Sequence, residues 1–233
     1  MISLSLYHSS HIDDDKNSKY FLNHHTSPFP SIPPAPYEPL PEFISKEWAT
    51  PSLSSKVAII DGSTQESRTF LEYKNIMTNL AASLHETLDV KEDKTVALYC
   101  PNHVDYVPIV LAINMAGGKV IPINPVYTWH ELEKIMKKGN VDVIISHESI
   151  VNNIFDLLAK RNNGWNKDVP VVVIPEVDGG SVPEGTVSLS DLKKHNKPFV
   201  NSIPCSHGNT SSHTAVLPFS SGTTGLPKGV CCK

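Results

Sequence analysis

Thr95-Val96-Ala97-Leu98-Tyr99, then Asn102 to Ala116, then Lys119-Val120-Ile121-Pro122-Ile123 make one unit of sequence: a short run of strand formers, a longer apolar stretch and a second short run. The middle stretch is too long for a strand and reads as a helix, so the unit is strand, helix, strand. Gly117-Gly118 supplies the helix stop, because glycine takes the left-handed conformation that ends a helix without steric cost. Asn114 interrupts the apolar stretch well short of the ~18 residues that a membrane span requires.

The same alternation continues on both sides. Downstream, Thr128-Trp129-His130-Glu131 is a capping-box pattern that opens a helix to about Lys138, and Gly139-Asn140 ends it. Val141-Asp142-Val143-Ile144-Ile145 reads as a strand, and Ser149 to about Lys160 as a helix carrying Ile150, Ile154, Leu157 and Leu158. Val169 to Ile174 is a strand too apolar to have a wetted face. Upstream, Val57-Ala58-Ile59-Ile60 ends in the turn Asp61-Gly62, with Arg68-Thr69-Phe70-Leu71 as its hairpin partner. Tyr73, Ile76, Met77, Leu80, Ala81, Leu84 and Leu88 then recur at helical spacing. Residues 175–214 are looser, with a short helix expected near Ser190–His195, and Ala215 to Phe219 resumes as a strand. Repeated strand–helix–strand units imply an α/β fold, a mostly parallel sheet with helices on both faces. No fixed-period repeat is visible, which excludes a solenoid.

Composition narrows the function classes. The 233 residues are 39% hydrophobic and 19% charged, with a net charge of -4 and therefore no basic footprint for nucleic acid. The start, Met1-Ile2-Ser3-Leu4-Ser5-Leu6, has neither a basic leader nor a sustained apolar stretch, so no secretory signal and no transmembrane segment are expected. Four cysteines without a regular framework suit a reducing compartment, and the expected location is cytoplasmic. Eight of the 19 prolines fall between Pro28 and Pro51, so residues 1–42 are expected to be a polar, proline-rich arm. Cys205, His207 and His213 lack a fourth ligand at regular spacing, and no metal site is assigned to them. Cys231-Cys232 reads as two small apolar residues on opposite faces of a strand, and His103, His130 and His147 as surface residues near helix starts.

The chemistry lies in Leu217-Pro218-Phe219-Ser220-Ser221-Gly222-Thr223-Thr224-Gly225-Leu226-Pro227-Lys228-Gly229-Val230. Four hydroxyls, three glycines and one lysine fall within ten positions directly after an expected strand. Polyphosphate binding calls for that combination: glycines let backbone N–H groups approach the anion, hydroxyls donate further hydrogen bonds, and an ammonium offsets charge. The nucleotide-triphosphatase loop needs Gly-Lys next to a hydroxyl, whereas Lys228 stands between Pro227 and Gly229.

Ser220 to Val230 resembles the signature loop of the acyl-adenylate-forming superfamily, which includes acyl-CoA synthetases, 4-coumarate–CoA ligases and beetle luciferases. Asn124-Pro125-Val126-Tyr127-Thr128, taken with the loop, is most similar to the 4-coumarate–CoA ligase and luciferase-like branch. Val57–Gly62, Thr69–Tyr73, Val96–Asn102 and Ala116–Thr128 resemble further family blocks, so the likeness runs from about Phe43 to Lys233. It implies ATP, Mg2+ and coenzyme A as cofactors or co-substrates and a carboxylic acid, aromatic or fatty, as substrate. The acid would become an acyl-adenylate and then an acyl-CoA thioester. The resemblance implies that Ser220, Ser221, Thr223 and Thr224 hydrogen-bond phosphates, that Gly222 and Gly225 allow close approach, and that Lys228 neutralises leaving charge.

No catalytic residue is assigned within these residues, because the family's Tyr-Gly-x-Thr-Glu block, ribose-binding aspartate and adenylation lysine would all follow Lys233. Residues 43–233 are therefore expected to be an incomplete N-terminal AMP-binding (adenylation) domain of a ligase, a truncated fragment inactive alone. The alternative is a non-catalytic truncated product acting at most by protein interaction. A peroxisomal location stays open, because such an address is read at the extreme C-terminus.

Overall fold

The computed structural model describes residues 38–160, 168–195, 197–199, 213–220 and 227–232. All of them lie in the unit that runs from Pro36 to Lys233. A short helix, α1 (Leu40–Ser45), precedes an antiparallel hairpin of β1 (Val57–Ile60) and β2 (Ser67–Thr69). Helix α2 (Phe70–Leu88) starts at a complete capping box: the Thr69 amide donates to the Glu72 carboxylate at 2.6 Å, and the Glu72 amide donates to the Thr69 hydroxyl at 3.3 Å.

The unit that decided the reading is present as β3 (Thr95–Tyr99), α3 (Tyr106–Met115) and β4 (Lys119–Ile123). The helix starts later than the expected Asn102. The His103 Nδ1 atom accepts the Asp105 amide at 3.0 Å, and this local side-chain bond holds residues 103–105 in a turn. Helix α4 (Trp129–Gly139) opens with the Glu131 carboxylate accepting from the Thr128 amide at 2.8 Å and ends at Asn140 with φ +48°. Strand β5 (Val143–His147) begins two residues after the expected Val141, because the Val141 amide still bonds Met136 of the helix. A single 3-10 turn (Glu148–Ile150), α5 (Asn152–Ala159), β6 (Val171–Ile174), β7 (Val187–Ser188) and α6 (Leu189–Leu192) follow.

The five-stranded sheet has the order β4-β3-β5-β6-β7, and every pairing in it is parallel. Alternation along the strands builds one core on each face. Val96, Leu98, Val120, Val143, Ile145, Val172 and Ile174 pack with α2 and α3. Ala97, Tyr99, Ile121, Ile123, Ile144, Val171 and Val173 pack with α4 and α5. The helices therefore cover both faces, and β3, β5 and β6 are buried along their whole length, as their continuous apolar runs require. Among the described residues no helix is long and apolar enough to cross a membrane.

Beyond β4 the expected strand Ala215–Phe219 is divided. Val216 bridges Val120 in parallel, and the strand proper, β8, is only Phe219–Ser220. Pro218 has no N–H to give, which interrupts the ladder between them. Strand β9 (Lys228–Gly229) returns antiparallel to β8, and Cys232 bridges back to Val216.

Candidate functional site

The loop rich in hydroxyls and glycines joins β8 to β9. Residues 213–220 run parallel to β4, so the loop leaves at the carboxyl end of the sheet, where open α/β sheets bind their ligands. Two hydrogen bonds set that direction: the Val120 amide donates to the Ala215 carbonyl at 3.1 Å, and the Leu217 amide donates to the Val120 carbonyl at 2.8 Å. Asn114, the polar residue that interrupts the apolar helix, adds a third. Its amide donates to the Ala215 carbonyl at 2.9 Å and to the Gly118 carbonyl at 3.1 Å. A residue that the sequence marked only as a break in hydrophobicity thus fastens the incoming arm.

Of the predicted phosphate-binding residues, Ser220 and Lys228 fall on the hairpin and are register partners across it. Both side chains are exposed, so a hydroxyl and an ammonium stand side by side facing solvent. Ser221, Gly222, Thr223, Thr224 and Gly225 lie outside the described residues, as do Cys205 and His207. Gly229 has a role that composition did not reveal: a Cβ there would stand 3.2 Å from both the Phe219 ring and Leu217, so its missing side chain lets β9 close over β8. Phe219 and Leu217 in turn pack on the core formed with α4 and α5. Lys138, at the end of α4, donates from Nζ to the Pro227 carbonyl at 2.6 Å.

A second concentration of charge lies at the carboxyl ends of β3 and β6. Asp105, 1% exposed at its side chain, receives Arg68 Nε at 3.0 Å and Lys193 Nζ at 2.9 Å. Lys193 also meets Asp178 at 3.0 Å, and Arg68 meets Glu66 at 2.6 Å. Burial would raise the Asp178 carboxyl, but hydrogen bonds from Ser190 and Lys193 overcome it and hold the group below its usual range. This network ties the β1–β2 hairpin and α6 to the start of α3, and its charges satisfy one another. His103 and His147 were expected on the surface. His147 is instead buried, its Nδ1 meeting the Ser149 hydroxyl at 2.8 Å, and its ring lies 5.8 Å from that of half-buried His103. Burial pushes the Cys100 thiol up to about 12, which leaves it inert. Cys231 is exposed and Cys232 half-buried, both as free thiols. Among the described residues no group of three or more His, Cys, Asp or Glu side chains is arranged to hold a metal ion.

The sequence model of a family described as AMP-binding enzymes matches residues 46–233. The 4-coumarate–CoA ligase 1 of Arabidopsis thaliana is 30% identical over 180 residues, which are 76% of this chain and 30% of that protein. The 4-coumarate:CoA ligase 1 of Petunia hybrida is 27% identical over 177 residues, with the same coverage of 76% and 30%. The chain thus spans about a third of the length of the curated relatives it matches. Among solved structures, a long-chain-fatty-acid–CoA ligase from Archaeoglobus fulgidus matches with a TM-score of 0.72 at 27% identity, over 89% of this chain and 39% of its own. A red-emitting luciferase from Phrixothrix hirtus shares the fold, with a TM-score of 0.63 at 21% identity over 82% of this chain and 35% of its own.

Proposed function

This chain belongs to the AMP-binding enzyme family, and from that premise we propose that it serves the ATP-dependent activation of a carboxylic acid, supplying the part that grips the phosphates. The observation that carries the reading is the Ser220–Lys228 pair, a hydroxyl and an ammonium set side by side on a hairpin at the carboxyl end of a parallel sheet. In the reaction a carboxylate oxygen attacks the α-phosphorus of ATP, the bond to the bridging oxygen breaks, and pyrophosphate leaves with that electron pair. Ser220 would donate a hydrogen bond to a phosphate oxygen, and Lys228 would stabilise charge as it builds on the leaving group. Ser221, Thr223 and Thr224 would add donors, and Gly222 and Gly225 room for backbone amides.

Ser220 and Lys228 are donors that would hold phosphate rather than a metal, so magnesium would come with the nucleotide and would supply Lewis-acid charge stabilisation there. The acyl-adenylate would then pass to the thiol of coenzyme A, with loss of the thiol proton and departure of AMP. An aromatic or fatty acid is the proposed substrate, since the relatives are named for 4-coumarate and for long-chain fatty acids.

The test is exchange of labelled pyrophosphate into ATP by the native protein, dependent on an added carboxylic acid. Lys228→Ala should lower it by about 10²–10³-fold, the usual effect of removing one preorganised charge-stabilising donor. The unfolding midpoint should hardly move, because the Lys228 side chain is exposed. Exchange by Lys228→Ala at the wild-type rate, or ATP hydrolysis that needs no acid, would overturn the reading.

A further inference from the structure

We propose that Lys138 is a positioning residue for Lys228, a second cation whose task is to fix the lysine of the phosphate-binding hairpin. Lys138 lies in the last turn of α4, 89 residues from the Pro227 carbonyl to which its ammonium donates at 2.6 Å. The helix that bears it is rigidly set. Leu132, Ile135 and Met136 are buried, Gly139 fits against Ile121, and Asn140 closes the helix in the left-handed region. The acceptor is equally telling. Pro227 has no N–H, so its carbonyl is the one main-chain hydrogen-bonding group that this residue offers. The Pro227 carbonyl and the Lys228 amide belong to one peptide unit, and that unit is planar. Holding its oxygen therefore fixes the plane from which the Lys228 side chain departs, while the Ser220 pairing fixes the strand across it.

A charge-assisted bond is stronger and more directional than a neutral one, which suits it to an exposed hairpin with only two residue pairs. Lys138 also brings a second positive charge to the base of a site meant for a polyanion, where it raises the local potential.

The kinetic arm of the test rests on the proposed acid activation, and the second arm does not. Lys138→Met keeps the aliphatic stem and removes the donor; Lys138→Arg keeps a donor. In acid-dependent pyrophosphate exchange by the native protein, Lys138→Met should lower kcat about ten-fold while KM for ATP stays within about two-fold, because Lys228 acts on charge that builds in the transition state, and Lys138→Arg should recover most of the difference. Independently, trypsin cleavage after Lys228 in ligand-free protein, followed by mass, should be several-fold faster in Lys138→Met than in wild type or Lys138→Arg. If wild type shows no exchange but Lys138→Met is cut faster, the positioning holds and the proposed activity fails. Unchanged cleavage together with unchanged kcat overturns the positioning. So does a lowered unfolding midpoint with no KM-against-kcat split and no rescue by arginine.

Discussion

In β3 all five residues are buried and the strand is laddered on both sides, to β4 and to β5. In the β8–β9 hairpin two residues pair with two, and Ser220, Lys228 and Gly229 are exposed. The two regions touch along β4 but answer to different physics. The sheet is held by apolar burial on both faces, a term that grows with area and is indifferent to any single polar atom. The hairpin is held by a handful of named contacts: Asn114 and Val120 on the incoming arm, Phe219 beneath, Lys138 on the return. Stability is concentrated in one region and the candidate chemistry in the other, the usual division between a rigid scaffold and a ligand-binding loop.

The sharpest way to break this comparison is Asp105→Ala. Asp105 sits on the scaffold side, almost wholly buried between Arg68 and Lys193, and its removal leaves two cations without their shared anion. Loss of one partner from a buried ion network costs about 3–5 kcal/mol, and urea unfolding of the native protein should show a loss of that size. Trypsin cleavage after Lys228, measured well below the unfolding transition, should keep its wild-type rate, because the network does not touch the hairpin. A stability loss below about 1 kcal/mol, the level of an exposed pair, would mean that the network belongs to the surface.

What the sequence disclosed follows the same division. The strand–helix units were legible because burial writes itself as apolar periodicity, as in Val96, Leu98 and Val120 on one face and Ala97, Tyr99 and Ile121 on the other. Ends of elements were less so. His103 and Val141 move the starts of α3 and β5 by local hydrogen bonds that no hydrophobic pattern records. The loop was found by its string of residue types, and Ser220 and Lys228 do come together. Its fastenings were not found, since Asn114, Lys138 and Gly229 act on residues distant in sequence or as bare space, and none carries a signature of its own.

The joint between the two regions offers a sharper test of intermediate size. A Cβ on Gly139 would come within 2.3 Å of the Ile121 Cδ1 atom and 3.8 Å of the Phe219 ring. Ile121 is fully buried, so its methyl must move within a close-packed core, and Gly139→Ala should cost about 1–3 kcal/mol. Because Phe219 packs on the same core as Ile121, the displaced Ile121 side chain should also loosen the hairpin, seen as faster cleavage after Lys228. A stability loss with unchanged cleavage would show that α4 supports the sheet alone.

The smallest effect concerns pH and again falls on the scaffold. Burial holds the His103 pKa below the usual histidine value of 6.5; Asp105 and Glu66 pull it upward, while His147 and Lys193 push it further down. Geometry supplies a reason of its own. Nδ1 accepts the Asp105 amide, so a proton on that nitrogen would replace the bond with a clash of two donors. The unfolded chain therefore binds a proton at a pH where the folded chain does not, and stability rises with pH through that interval. The contribution is complete above about pH 6.5 and declines as pH falls toward the lower folded value. The urea midpoint should drop modestly from pH 7 to pH 5, and His103→Gln, which keeps an acceptor but cannot protonate, should flatten that part of the slope. An equal slope in the variant would mean that His103 is not its source; Asp178 cannot be the source either, since its lowered pKa makes its contribution fade only at more acidic pH, below the ordinary carboxylate range.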